Sequence, residues 1–183
     1  IGDRTMVQSK GQLVDITVRN GARSLAAEID DFLIGLAVAN AAVANPTTGD
    51  ALADISAAKQ SLDAANTPKA GRFLVASPGF VQNMLSNNNI INADKYGAES
   101  PIMAGFVSRV FGFTILESSS AGLANDGFIA MSMEALGFAR QITPKFERER
   151  RVLGQRDDYA LSHLYGGIAR DPAGTRVVDF TAP

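Results

Sequence analysis

No proline interrupts the chain before Pro46, and from Ala22 onward apolar side chains fall at Ala22, Leu25, Ala26, Ile29, Phe32, Leu33, Leu36 and Ala37. This is the i, i+3, i+4, i+7 recurrence of one helix face. A helix over 22–44, about 22 residues long, reaches about 33 Å. The chain has 183 residues, a length that implies one domain or one domain with two lobes. So long a rod in so small a protein limits the folds available to those built along it. Its opposite face carries Arg23, Glu28, Asp30 and Asp31 and turns apolar toward Val38 and Val43, so the C-terminal half should be covered on more than one side. Alanine makes up 28 of the 183 residues and tryptophan is absent, which favours close helix packing over an aromatic ligand cage.

The rest of the chain reads as shorter pieces. Residues 7–18 alternate loosely (Val7, Leu13, Ile16, Val18) as an extended segment would, until Asn20 and Gly21 break the pattern. Residues 45–50 read as a turn, and 51–65 as a second helix with Leu52, Ile55, Ala58 and Leu62 on one face. Phe73 to Ala76 suits a buried strand, and Ser77-Pro78 then supplies a hydroxyl N-cap with proline at the first helical position. Residues 86–100 form an asparagine-rich polar loop. Residues 107–116 suit a strand with a bulge or close approach at Gly112, 128–133 a strand, 134–142 a short helix, and Thr143-Pro144 a break. Residues 146–152 alternate, and 165–180 read as two short strands around the turn Asp171-Pro172-Ala173-Gly174. Helices first, then mixed strands and short helices, point to α+β.

Chemistry is sparse. The chain has no cysteine, which removes disulfides, thiolate nucleophiles and iron–sulfur clusters, and its one histidine, His163, provides no imidazole cluster for a metal. With 17 Lys+Arg against 19 Asp+Glu, the net charge of -2 argues against a dedicated nucleic-acid binder. No apolar run approaches the about 20 residues needed to span a bilayer. Ser56 and Lys59 have the S-x-x-K spacing of serine acyl-enzymes, but no K-T-G or S-D-N accompanies them, so a plain helix surface is the better reading. His163 lies beside Leu161, Leu164 and Tyr165 and reads as a packed residue. The neighbouring acids Asp30-Asp31 and Asp157-Asp158 diverge on any regular element and read as solvated faces. Glycine-rich nucleotide cradles are missing. The one concentration of charge is 145–156, where Arg148, Arg150, Arg151 and Arg156 are interleaved with Glu147 and Glu149. These arginines are candidate subunit-contact or phosphate-contact charges, and the acids among them favour a salt-bridged strand or a contact between subunits. No catalytic, cofactor or metal residue is assigned.

The order of these segments resembles a known family. It runs from the alanine-rich helix through K-A-G-R-F-L-V-A-S-P-G-F-V-Q-N-M-L (69–85), the polar loop and G-F-V-S-R-V-F-G-F-T-I-L-E-S-S (105–119) to L-Y-G-G-I-A-R-D-P (164–172). This resembles the major capsid protein of tailed bacteriophages over most of the chain. The resemblance implies the Hong Kong 97 type coat fold: a spine helix at 22–44, a peripheral lobe of 1–50 with 143–183, and an axial α/β lobe of 51–142. It further implies a non-enzymatic subunit without cofactors, which self-assembles into hexamers and pentamers and encloses double-stranded DNA without reading its sequence. The other partners implied are portal, scaffold or decoration proteins, and no membrane. The protein would be assembled in the host cytoplasm and reside in the virion capsid. Family chains carry an N-terminal arm and an extended loop before the spine helix. Here only about 20 residues precede it and the chain opens on Ile1, so a processed or truncated product is expected. Two alternatives stand beside this: an encapsulin-like compartment shell, and a small α+β enzyme or ligand-binding domain with its site in 86–100 or around Lys59, Ser77 and His163.

Overall fold

The computed structural model describes residues 13–41, 43–87, 109–120, 122–123, 125–170 and 177–181. Helix α1 runs unbroken from Leu13 to Ala39, 27 residues, so it begins well before the expected start at residue 22. The part of the extended reading that falls on 13–18 is thus corrected to helix, and the part on 7–12 lies outside the described residues. Asn20-Gly21 resembles a breaker but serves packing. A Cβ on Gly21 would stand 3.1 Å from Leu161 Cδ1, so glycine lets the helix approach that side chain closely. The helix also stops earlier than expected. The Asn40 side chain donates to the Leu36 carbonyl at 2.8 Å, and Val43–Pro46 is a strand, β1.

Helix α2 follows over Ala51–Ala64, then β2 (Arg72–Ala76), α3 (Pro78–Ser86), β3 (Arg109–Val110), β4 (Phe113–Glu117), β5 (Phe128–Ser132), β6 (Leu136–Arg151), β7 (Arg156–Ala169) and β8 (Val177–Thr181). Contacts divide the chain into two units, Ile1–Asp30 with Phe138–Gly167, and Asp31–Gly137 with Ile168–Pro183.

The second unit holds a six-stranded mixed sheet in the order β1-β8-β5-β2-β4-β3. β1 runs parallel to β8 and β2 parallel to β4, while β5 is antiparallel to both β8 and β2. All five residues of β5 are buried, as expected of a strand covered on both faces. Strand alternation sends Phe128, Ala130, Val178 and Phe180 to one face, where Ile55, Ala58 and Leu62 of α2 and Phe80 and Met84 of α3 close over them. Phe128 stacks on Phe180 at 4.7 Å and meets Phe80 at 4.4 Å. Ile129, Met131 and Val177 point the other way, against Ile34 and Ala37 at the end of α1. This covers the end of α1 from the side of the sheet, with Val38 packed against the same cluster.

Capping fixes the helices of this layer. Asp50 accepts from Leu52 N at 3.0 Å, and the buried Asp54 carboxylate accepts from Thr48 Oγ1 at 2.6 Å, which ties the preceding turn to α2. Buried Arg72 donates to Asp63 Oδ1 at 2.7 Å and to the carbonyls of Thr67 (2.6 Å) and Pro68 (2.9 Å), holding the end of α2 to the start of β2. The Arg72 guanidinium keeps the Asp63 carboxyl below the usual carboxylate range.

The first unit contains α1 as far as Asp30 and the hairpin of β6 and β7, turned by Val152, Leu153, Gly154 and Gln155. Among its described residues, Asp157 alone is buried.

Several expectations are corrected here. The short helix at 134–142 is strand: β6 begins at Leu136 and continues through Pro144, because its partner strand supplies bonds that local helix spacing cannot outweigh. Pro144 is no break, since a two-stranded sheet leaves every residue on an edge, where a missing N–H is tolerated. Gly112 (φ 90°) with Phe111 (φ 50°) makes the hairpin turn between β3 and β4, in place of a bulge in one strand. The tail strands do not pair with each other: β7 is 14 residues long and pairs with β6, and β8 lies between β1 and β5. The turn at 171–174, the loop over 88–100 and residues 107–108 lie outside the described residues.

Candidate functional site

The charge concentration seen in the sequence sits on β6, β7 and their turn, and the structure brings its members together in two sets. Arg148 Nη2 donates to Asp157 Oδ2 at 2.7 Å, and Arg150 Nη1 reaches Asp157 Oδ1 at 3.4 Å. Arg151 Nε lies 2.8 Å from Asp158 Oδ2, and Arg156 Nε 3.3 Å from Asp158 Oδ1. Adjacent residues of a strand face opposite ways, so the two aspartates separate the four arginines onto two faces. Asp157-Asp158 does diverge as expected, yet Asp157 is buried at 1% exposure, which corrects its reading as a solvated face. A buried carboxylate needs charge-assisted donors, and two guanidinium groups supply them. Of the interleaved acids, Glu147 takes Lys145 at 2.5 Å, which lowers the Glu147 carboxyl and raises the Lys145 amine. The signal that pairs Arg148 and Arg150 with Asp157 was available only as strand parity across the 152–155 turn.

Aromatic pairs continue along the same hairpin. Phe146 stacks on Tyr159 at 5.5 Å, Phe138 meets Tyr165 at 6.0 Å, and His163 lies flat on Tyr165 at 4.6 Å. Burial, and then the nearby Glu28 carboxylate, push the Tyr165 hydroxyl above its ordinary range. Among the described residues the buried His163 Nε2 has no hydrogen-bond partner, and the ring is packed on Tyr165.

The other candidates do not converge. Ser56 is exposed on α2, and Lys59 extends over the Phe111 ring at 5.8 Å. Ser77 caps α3, accepting from Phe80 N at 3.3 Å and donating to the Asn125 carbonyl at 2.7 Å. A cleft of about 540 Å³ opens beside it, lined by Pro78, Leu123, Ser118, Ser120 and Asp126 among others. Asp30 and Asp31 are exposed on α1. Among the described residues no group of three or more His, Asp or Glu could hold a metal, and no helix is long and apolar enough to cross a membrane.

The arrangement is therefore one of surfaces: a charged, aromatic hairpin and a long helix in one unit, and a packed sheet in the other. Across residues 2–178 the chain matches the family model described as phage capsid protein. It belongs to that family. No curated protein sequence matches this capsid protein, but solved structures do. A chain from Mycobacterium phage Che8 is 30% identical with a TM-score of 0.84, covering 98% of the capsid protein and 67% of that chain. A chain from the capsid structure of the cyanophage P-SCSP1u is 17% identical with a TM-score of 0.70, covering 93% and 66%. One from the mature capsid of bacteriophage PhiM1 is 15% identical with a TM-score of 0.69, covering 100% and 68%. The capsid protein thus spans about two thirds of the length of these chains. Its α+β architecture is the Hong Kong 97 type coat fold, its role is that of a structural subunit that associates with copies of itself, and its place is the virion capsid.

Proposed function

We propose that this capsid protein closes an icosahedral shell as hexamers and pentamers and encloses double-stranded DNA without reading its sequence. The observation that carries the reading is the unit made of α1 and the β6–β7 hairpin, in which no described apolar residue is buried. Ile16, Phe138, Ile142, Phe146 and Leu164 are each between 43% and 51% exposed. A helix on a two-stranded sheet without a core is marginal alone, and contacts with other copies supply the missing burial. A net charge of -2 suits a wall around DNA, because a strongly basic lining would grip phosphates with a steep salt dependence.

On this reading the protein performs no catalysis, and portal, scaffold or decoration proteins join it during assembly in the host cytoplasm. Residues 1–50 with 143–183 form the peripheral lobe and 51–142 the axial lobe, with β1 and β8 contributed to the axial sheet. Arg148, Arg150, Arg151 and Arg156 stiffen the hairpin through their aspartates and offer their remaining N–H groups at subunit contacts. Negative-stain microscopy of the purified full-length protein tests the reading. Closed shells or free hexamers and pentamers are expected, and a strictly monomeric particle at high concentration would refute it.

A further inference from the structure

We propose that the β6 face bearing Phe138, Arg140 and Ile142 docks on the acidic turn Asp30-Asp31 of helix α1 in a second copy of this chain. This rests on the shell-forming reading above and names one of its contacts.

Alternation along β6 puts Phe138, Arg140 and Ile142 on one face, with Phe138 45% and Ile142 47% exposed. Arg140 between them is exposed and has no carboxylate partner among the described residues, whereas Arg148, Arg150, Arg151 and Arg156 of the same hairpin all have one. The complement stands on α1. Asp30 and Asp31 are exposed and have no ion-pair partner among the described residues, although Asp15 of the same helix holds Arg19 at 2.8 Å. Phe32 beside them is 36% exposed. One surface is thus a cation bracketed by apolar side chains, and the other a turn of helix with two anions on adjoining faces.

Their sizes agree as well. From Phe138 to Ile142, four rises along the strand, the face spans about 13 Å, close to the roughly 10–12 Å width of a helix. The two patches differ, so the contact is head-to-tail, the type that generates rings when its rotation closes. Charges at such a contact fix the partner and the register, and juxtaposed like charges repel it.

The test uses the full-length chain and three variants, Arg140→Glu, Arg140→Lys and the double substitution Asp30→Arg with Asp31→Arg. Assembly is followed by light scattering and negative stain against protein concentration, and folding of the unassembled chain by circular dichroism. All changes lie on exposed side chains, so the melts should match wild type. Arg140→Glu and the double aspartate variant should each need about tenfold more protein to assemble, and Arg140→Lys should resemble wild type. Mixing the two defective proteins in equal amounts should restore hexamers, in which the two can alternate so that each contact joins opposite charges, whereas a five-membered ring keeps one like-charged contact. No contact inside one chain can be rescued in this way. Unchanged assembly of Arg140→Glu, or a mixture that forms hexamers no better than its components, overturns the proposal. A wild-type chain that stays monomeric overturns the shell reading and this contact with it.

Discussion

Asp179 lies on β8 between Ala44 of β1 and Ile129 of β5, 3% exposed, with its Oδ1 unbonded. Burial raises its pKa above the ordinary carboxylate value. The folded chain therefore holds this proton more tightly than the unfolded chain does. That stability is fully present below about pH 4 and is lost as pH rises through the raised folded value. Asp179→Asn removes the titration, so thermal melts between pH 4 and pH 7 should lose part of their downward slope. At pH 7 the variant should be the more stable of the two, because the amide leaves no negative charge to bury. Nothing in the local sequence V-V-D-F-T marks this residue as buried, since an alternating strand allows it either face. Arg148, Arg150, Arg151 and Arg156 were legible as a group because they cluster in sequence, whereas Asp157 as the buried acceptor of two of them was not.

Elements were read best where their own residues specify them. Ser77-Pro78 begins α3 as its chemistry demands, and the face Ile55, Ala58, Leu62 of α2 is the face that is buried. Misreadings fell where a partner element decided. Gly21 looked like a break until Leu161 accounted for it, and 136–142 looked helical until β7 paired with it. Close approach also governs the start of α3. A Cβ on Gly79 would lie closer than 3.0 Å to the Asn125 carbonyl oxygen and to Asp126 Oδ1, so Gly79→Ala must push α3 off the segment it packs against. Chemical denaturation should show a loss of about 3 kcal/mol, as for severe overpacking against backbone. By contrast, nothing lies within 4 Å of a Cβ at Gly35 of α1. Gly35→Ala should therefore be neutral or stabilising by up to about 1 kcal/mol, and the same denaturation measurement checks it.

At the scale of the whole molecule, the two units differ in what holds them. The sheet unit contains both buried apolar clusters, while the unit of α1 and the hairpin has ion pairs, half-buried rings and Asp157. Local opening should follow this division, so amides of 138–167 should exchange faster than those of β2 and β5 in unassembled protein. Assembly should slow the first set and leave the second unchanged, and hydrogen exchange on free subunits and shells measures both. The sequence by itself determined the long helix, the α+β class and the family, because periodicity, caps, composition and segment order are written locally. Only the tertiary structure decided that β8 leaves β7 to lie between β1 and β5, that β6 is a strand, and that Asp157 and Asp179 are buried. Each of those outcomes depends on partners distant in sequence, which no local pattern specifies.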